Sequence, residues 1–145
     1  MSHTSEIKSV VFTDIDALQA AVAELNKSGV RCSLLKDATP RAFYENQQGM
    51  EKAPYVLRLS DAKYDVGFYQ NDTGGYVART DLWGGSVASV LGVKAQNGEP
   101  AAQAALGKLY QSYAVNAAVR QAARQGYRVM RSTHPDGTIQ LTMNV

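Results

Sequence analysis

The sequence predicts an α+β fold: an antiparallel sheet with two main helices packed on one face and a C-terminal β-hairpin, in a single domain over residues 1–145. Three observations carry this. Short segments of alternating apolar and polar residues recur between clusters of Gly, Pro, Asn and Asp. Two longer segments place apolar residues three or four apart. The chain closes on two alternating runs around His134-Pro135-Asp136-Gly137.

Each element follows in order. Residues 7–12 (Ile-Lys-Ser-Val-Val-Phe) read as a strand. Thr13 or Asp14 then caps a helix whose stripe is Ile15, Leu18, Val22 and Leu25. Asp14 and Asp16 stand at its positive end and Lys27 at its negative end, as the helix dipole favours. Gly29 is placed to take the left-handed turn that stops it. Val30, Cys32 and Leu34 alternate as one strand, and Tyr55, Leu57 and Leu59 as the next. Tyr64, Val66 and Phe68 share one face, with Asp65, Gly67 and Tyr69 on the other. Asn71-Asp72-Thr73-Gly74-Gly75 joins residues 64–70 to 76–82 as an antiparallel hairpin. Trp83-Gly84-Gly85-Ser86 breaks the pattern, and 86–91 reads as a short helix. Pro100 opens a long helix, Ala101 to Gln125, rich in Ala, Leu and Gln. Its buried face is Leu106, Leu109, Tyr110, Tyr113, Ala117 and Val119, and Gly126 ends it as Gly29 ends the first. In the closing hairpin, Ile139, Leu141, Met143 and Val145 alternate toward a core.

Composition bounds the class. The chain has 145 residues, 45% hydrophobic and 19% charged, enough for a folded core without metal or disulfide support. One cysteine excludes an intrachain disulfide. No apolar run approaches the roughly 20 residues that cross a bilayer, so no membrane role is expected. The polar opening has no signal-peptide h-region, and the expected location is cytoplasmic. Net charge is +2, but unevenly spread. Residues 1–99 carry 10 Lys/Arg against 12 Asp/Glu, whereas Lys108, Arg120, Arg124, Arg128 and Arg131 face Asp136 alone in residues 100–145.

Several segments resemble one family. Met1-Ser2-His3-Thr4-Ser5-Glu6-Ile7-Lys8 is similar to an "M-S-H-x-S-x-I-K" opening. Asp14 to Leu25 follows "D-x-x-A-L-x-x-A-V-x-x-L", and Tyr64-Asp65-Val66-Gly67-Phe68 follows "Y-D-I-G-F". Tyr113-Ala114, Gln125-Gly126-Tyr127 and Asp136-Gly137-Thr138-Ile139-Gln140-Leu141 follow "Y-A", "Q-G-F" and "D-G-S-I-R-L". Together they resemble the hypothetical chloroplast reading frame thirty-five group of plastids and cyanobacteria, which has relatives in bacteriophages. The likeness runs co-linearly over nearly the whole chain, but departs at Trp83-Gly84-Gly85-Ser86 and on to Pro100. Met143-Asn144-Val145 stands where the family usually has an aromatic residue. The family has no established reaction, so the resemblance implies a fold and an ancestry and transfers no catalytic residue.

The candidate chemistry is sparse. His3, His134 and Cys32 lie far apart and make no metal motif, so neither metal nor cofactor is expected. Cys32 falls on the apolar phase of a strand, where a thiol behaves as a small hydrophobe. No nucleophile elbow occurs. Gly84-Gly85-Ser86 before a helix suits an anion, although the P-loop pattern is absent and a plain turn explains it. Arg120 and Arg124 share a helix face, with Arg128 and Arg131 beyond it. They read as a phosphate, nucleic-acid or acidic-partner stripe, or as a solvated face that favours the helix dipole. Tyr69, Tyr76 and Trp83, with Gly84, Gly85 and Ser86, make the candidate ligand platform, stacking a small nucleotide-like molecule if the rings are exposed. Three functions compete. The leading one is a non-catalytic binding or adaptor protein meeting a protein partner or a second copy. The next is a small-molecule or nucleotide-binding, sequestering protein of the kind a phage could encode. The last is an enzyme using Asp65, Asp72 or Asp81. No catalytic residue is assigned.

Overall fold

A computed structural model describes residues 4–42, 50–95 and 98–144. Of the opening motif, Met1, Ser2 and His3 lie outside the described residues, as does Val145, while Thr4 to Lys8 fall in the first strand. The first strand, β1 (Thr4–Phe12), leads into α1 (Ile15–Lys27). Then come β2 (Cys32–Ala38), β3 (Ala53–Leu59), β4 (Val66–Gln70) and β5 (Tyr76–Asp81). A 3-10 turn (Trp83–Gly85) precedes the helices α2 (Ser86–Leu91), α3 (Ala101–Ala104) and α4 (Gly107–Arg124). The hairpin β6 (Arg128–Thr133) and β7 (Ile139–Asn144) closes the chain.

Five strands form one antiparallel sheet in the order β1-β5-β4-β3-β2. The meander β2 to β5 is built from hairpins, and α1 carries the chain across the sheet from the β1 edge to the β2 edge. The register follows from burial. Val66 faces Thr80 and Phe68 faces Ala78, all fully buried, so a slip of one residue would turn Val66 and Phe68 away from the helices. The β4–β5 turn is the expected one: Asn71 N–H donates to Gly75 O at 2.8 Å, and the Asn71 side chain accepts from Thr73 N–H.

The helices cover one face. Leu18, Val22 and Leu25 of α1 and Leu109, Tyr110 and Tyr113 of α4 meet Leu57, Leu59, Val66, Phe68 and Ala78 of the sheet in one core. Ile15 is half-buried at its margin. Phe12 has no exposed surface and sits edge-on to Phe68 (5.1 Å) and Tyr113 (4.6 Å). Such pairs add about 1 kcal/mol each beyond area burial. Asp14 caps α1, accepting from Ala17 N–H at 3.1 Å. The Tyr113 hydroxyl accepts from Thr13 N–H (2.9 Å) and Asp14 N–H (3.0 Å), which locks α4 to the start of α1.

The opposite face has a smaller cover. Val56, Tyr69 and Ala53 cluster there with Leu35 and Ala38. Pro40 packs on Gly67, where a Cβ would lie 2.8 Å from the proline ring and 2.6 Å from the Tyr69 ring.

Two expectations are corrected. The long helix Ala101–Gln125 is two helices. The Ala104 carbonyl accepts from Val93 N–H at 2.9 Å, and Leu106 N–H bonds to Gln103 O, so the α-helical ladder is interrupted at 105–106. The closing hairpin does not turn Ile139, Leu141 and Met143 into a core. It forms its own two-stranded sheet, in which Ile139 and Leu141 are half-buried and Met143 is 61% exposed.

Candidate functional site

Trp83 and Val93 are exposed apolar side chains on the body, and the hairpin carries the two most exposed, Met130 and Met143. Its turn is well made: His134 N–H donates to Thr138 O (2.8 Å), Gly137 N–H to His134 O (2.9 Å), and Asp136 Oδ1 accepts from Thr138 N–H (2.9 Å). Those Thr138 contacts hold the Asp136 carboxyl below the usual range. The strands pair in register from Arg128 opposite Asn144 to Thr133 opposite Ile139. One face carries Val129, Arg131, Ile139, Leu141 and Met143, and the other Arg128, Met130, Gln140 and Thr142. No residue from Arg128 to Asn144 is buried, and Met130 is 64% exposed. Tyr127, at the hinge from α4, is 39% exposed.

Two polar tethers hold the hairpin to the body. Arg131 donates to both Glu24 carboxylate oxygens, at 2.5 and 3.3 Å, and Gln111 Nε2 donates to Gly137 O at 3.1 Å. The Arg131 hydrogen bond, with help from Ser112, holds the Glu24 carboxyl below its ordinary range against partial burial. Between hairpin, α1 and α4 lies a groove of about 440 Å³, floored by Leu25 and Ile139 and rimmed by Lys27, Lys108 and Arg131.

The arginine stripe meets acids of its own chain. Arg120 donates to Asp14 (2.9 Å) and Asp16 (3.1 Å), and Arg124 to Asp14 (3.3 Å). The Arg120 hydrogen bond is the main cause of the lowered Asp14 pKa. Arg128 is exposed on the hairpin. The basic excess after residue 100 thus folds onto the acidic face of α1, a pairing that sequence position alone does not reveal.

The candidate platform residues are dispersed. Tyr69 is buried on the sheet face away from the helices. Its hydroxyl donates to Glu51 O at 2.5 Å, and the Arg79 guanidinium lies 4.3 Å from its ring centre. Burial, then Glu51, pushes the Tyr69 pKa up to about 12. Tyr76 is half-buried on the other face, edge-on to Tyr55 at 5.5 Å. Trp83 is 47% exposed in the 3-10 turn, where its N–H donates to Asp81. Gly84 and Gly85 both take positive φ, 78° and 75°, so this turn requires glycine. Ser86 Oγ accepts from Lys63 N–H at 3.1 Å, and α2 spans six residues anchored by buried Val87 and Leu91.

The three candidate carboxylates are also separated by role. Asp65 is fully buried and accepts from the Arg41 and Arg58 guanidinium groups, from Arg41 N–H (2.8 Å) and from Leu59 N–H (3.3 Å). Arg41 in turn donates to Leu59 O and Ala62 O. This knot fixes the crossing of β3 and β4 and was not legible beforehand, since Arg41 lies 24 positions from Asp65. Asp81 is buried and Asp72 exposed in the β4–β5 turn. Cys32 is half-buried with Sγ 3.8 Å from Val22 O, and burial raises its pKa. Among the described residues, no three His, Cys, Asp or Glu side chains gather as a metal site. Nor does any helix there have the length and apolarity to cross a membrane.

The fold and site define an α+β protein whose helix-covered sheet carries a pendant apolar hairpin. The family described as "Protein of unknown function (DUF1257)" matches residues 33–142, and the chain belongs to it. No curated protein and no solved structure matches the chain.

Proposed function

We propose that the chain is a non-catalytic binding or adaptor protein that meets a protein partner, or a second copy, through its C-terminal hairpin, in the cytoplasm. The observation that carries this is the burial along Arg128–Asn144. Val129, Met130, Ile139, Leu141 and Met143 all lie there and none is buried. A two-stranded hairpin is marginal in water by itself, and exposed apolar side chains on it gain free energy when a partner covers them. Burying one such side chain is worth about 2 kcal/mol. The motif likeness supports an ancestry shared with the plastid and cyanobacterial reading-frame group and its phage relatives. The test is native-state capture with the full chain and a Met130→Ser/Met143→Ser double variant. The wild type is expected in a complex that the variant loses while its thermal melt is unchanged. A complex indifferent to both substitutions would refute the hairpin as the contact.

A second reading, a small nucleotide-like ligand, is favoured by the groove under the hairpin. Its volume suits a small molecule, and Lys27 and Lys108 beside Leu25 and Ile139 suit an anion with an apolar body, Arg131 on the same wall being engaged by Glu24. Thermal shifts with a nucleotide panel, lost in Lys108→Ala, are the expected signature. No shift with any nucleotide would end this reading.

A further inference from the structure

Among the described residues, four strand edges are open: the outer sides of β1 and β2 in the sheet, and of β6 and β7 in the hairpin. An open edge is a row of unpaired N–H and C=O groups, and proteins blunt it with charge, proline, bulges or twist. β1 carries Glu6 and Lys8, and its register shifts between Ile7 and Phe12. β2 carries Lys36 and Asp37, and Asp37 takes φ 50°. β6 carries Arg128 and Arg131. β7 is different. It reads Ile-Gln-Leu-Thr-Met-Asn, with no charge, no proline and a clean alternation.

The backbone of β7 also points the right way. His134 N–H donates to Thr138 O, so residues 134 and 138 form a hydrogen-bonded pair. Antiparallel ladders alternate bonded and non-bonded pairs. Continuing that alternation, Gln140, Thr142 and Asn144 bond to β6, while the N–H and C=O groups of Ile139, Leu141 and Met143 face the open edge.

We propose that β7 pairs antiparallel with β7 of a second copy across a two-fold axis. This rests on the hairpin reading above and names its partner. Antiparallel pairing of a strand with itself is the arrangement a two-fold imposes, with the same patch on both copies. The product is a four-stranded sheet with Ile139, Leu141 and Met143 of both copies along one face. The marginal hairpin thereby gains the strands and the apolar face that independent stability requires. Identical strands usually meet like charges when they pair, at a cost. β7 carries none, and the nearest cation on that face, Arg131, is already engaged by Glu24. The other three edges would bring Lys36, Glu6 or Arg131 against their own copies.

The test is the mass of the full chain by light scattering across a concentration series under reducing conditions, for wild type, Leu141→Pro and Met143→Lys. Leu141→Pro deletes an N–H facing the open edge and no bond to β6, and Met143→Lys charges the edge. The wild type is expected as a dimer and both variants as monomers, with unchanged far-UV circular dichroism. A wild type that stays monomeric at every concentration would overturn the proposal, as would a dimer that both variants retain. A monomeric wild type whose native complex is still lost on Met130→Ser/Met143→Ser means that another protein occupies the hairpin. The self-pairing then falls and the binding reading stands. If that complex is also unaffected, both fall.

Discussion

At the scale of single residues, the strongest constraints are buried polar groups whose partners come from far along the chain. Asp65 has no exposed surface and accepts from the Arg41 and Arg58 guanidinium groups. Asp65→Ala would strip Arg41 N–H and Leu59 N–H of their acceptor and unpair two part-exposed guanidinium groups, and is expected to cost about 2 kcal/mol in urea unfolding. Tyr113→Phe strips two N–H groups at the start of α1 of their acceptor and is expected to cost about 1–2 kcal/mol in the same experiment. Acid sensitivity follows from Glu24 and Asp14. Both have folded-state pKa values lowered chiefly by an arginine hydrogen bond, to Arg131 and Arg120 respectively. A lowered folded pKa gives stability that is present above the unfolded carboxyl pKa and lost as pH falls through the folded value. The thermal midpoint should therefore fall as pH drops below about 4, and fall less in Glu24→Gln. Because Glu24 is half-buried and its partner Arg131 is more exposed, the difference should be below about 1 kcal/mol. The sequence shows these residues but not their pairing: Asp14 and Arg120 are 106 positions apart and meet only because α1 and α4 pack side by side.

At the scale of elements, the regular pieces were legible wherever a local signal was complete. Helix α1 has a cap, a stripe and a stop between Asp14 and Gly29, and it forms as expected. The β4–β5 turn has Asn, Asp and two glycines, and it forms as expected. Helix α4 reads as continuous from Ala101 in sequence because Ala and Leu favour helix on both sides of the break. The interruption comes from a tertiary hydrogen bond, Val93 N–H to Ala104 O, which propensity does not encode. The packing of Gly67 was equally hidden. Gly67→Ala would drive a methyl group into the Tyr69 ring and Pro40, and is expected to cost about 1–3 kcal/mol by chemical denaturation. The hairpin shows the limit of alternation. Period-two patterning says which side chains share a face, but not whether anything covers that face.

At the scale of the whole molecule, burial is divided unevenly. The sheet and the α1–α4 layer bury a continuous core, while the last strands leave Val129, Ile139 and Leu141 half-buried and Met130 and Met143 exposed. The charge imbalance along the chain, which suggests an acidic partner when read as sequence, closes internally through Asp14, Asp16 and Glu24. What remains outward at the C-terminal end is mainly apolar and hydrogen-bonding, with Arg128 as an exposed cation beside it. That shifts the expected partner from a phosphate-rich polymer to a protein strand, and retention on heparin should accordingly be slight and show a shallow salt dependence. The proposed binding role requires completion of the hairpin by another chain. The most direct measurement is hydrogen exchange at the Ile139, Leu141 and Met143 amides, followed as protein concentration rises and then in the native complex. The account predicts that these three amides become protected together as the contact forms. Exchange as fast as in exposed loops at every concentration and in the native complex would contradict it.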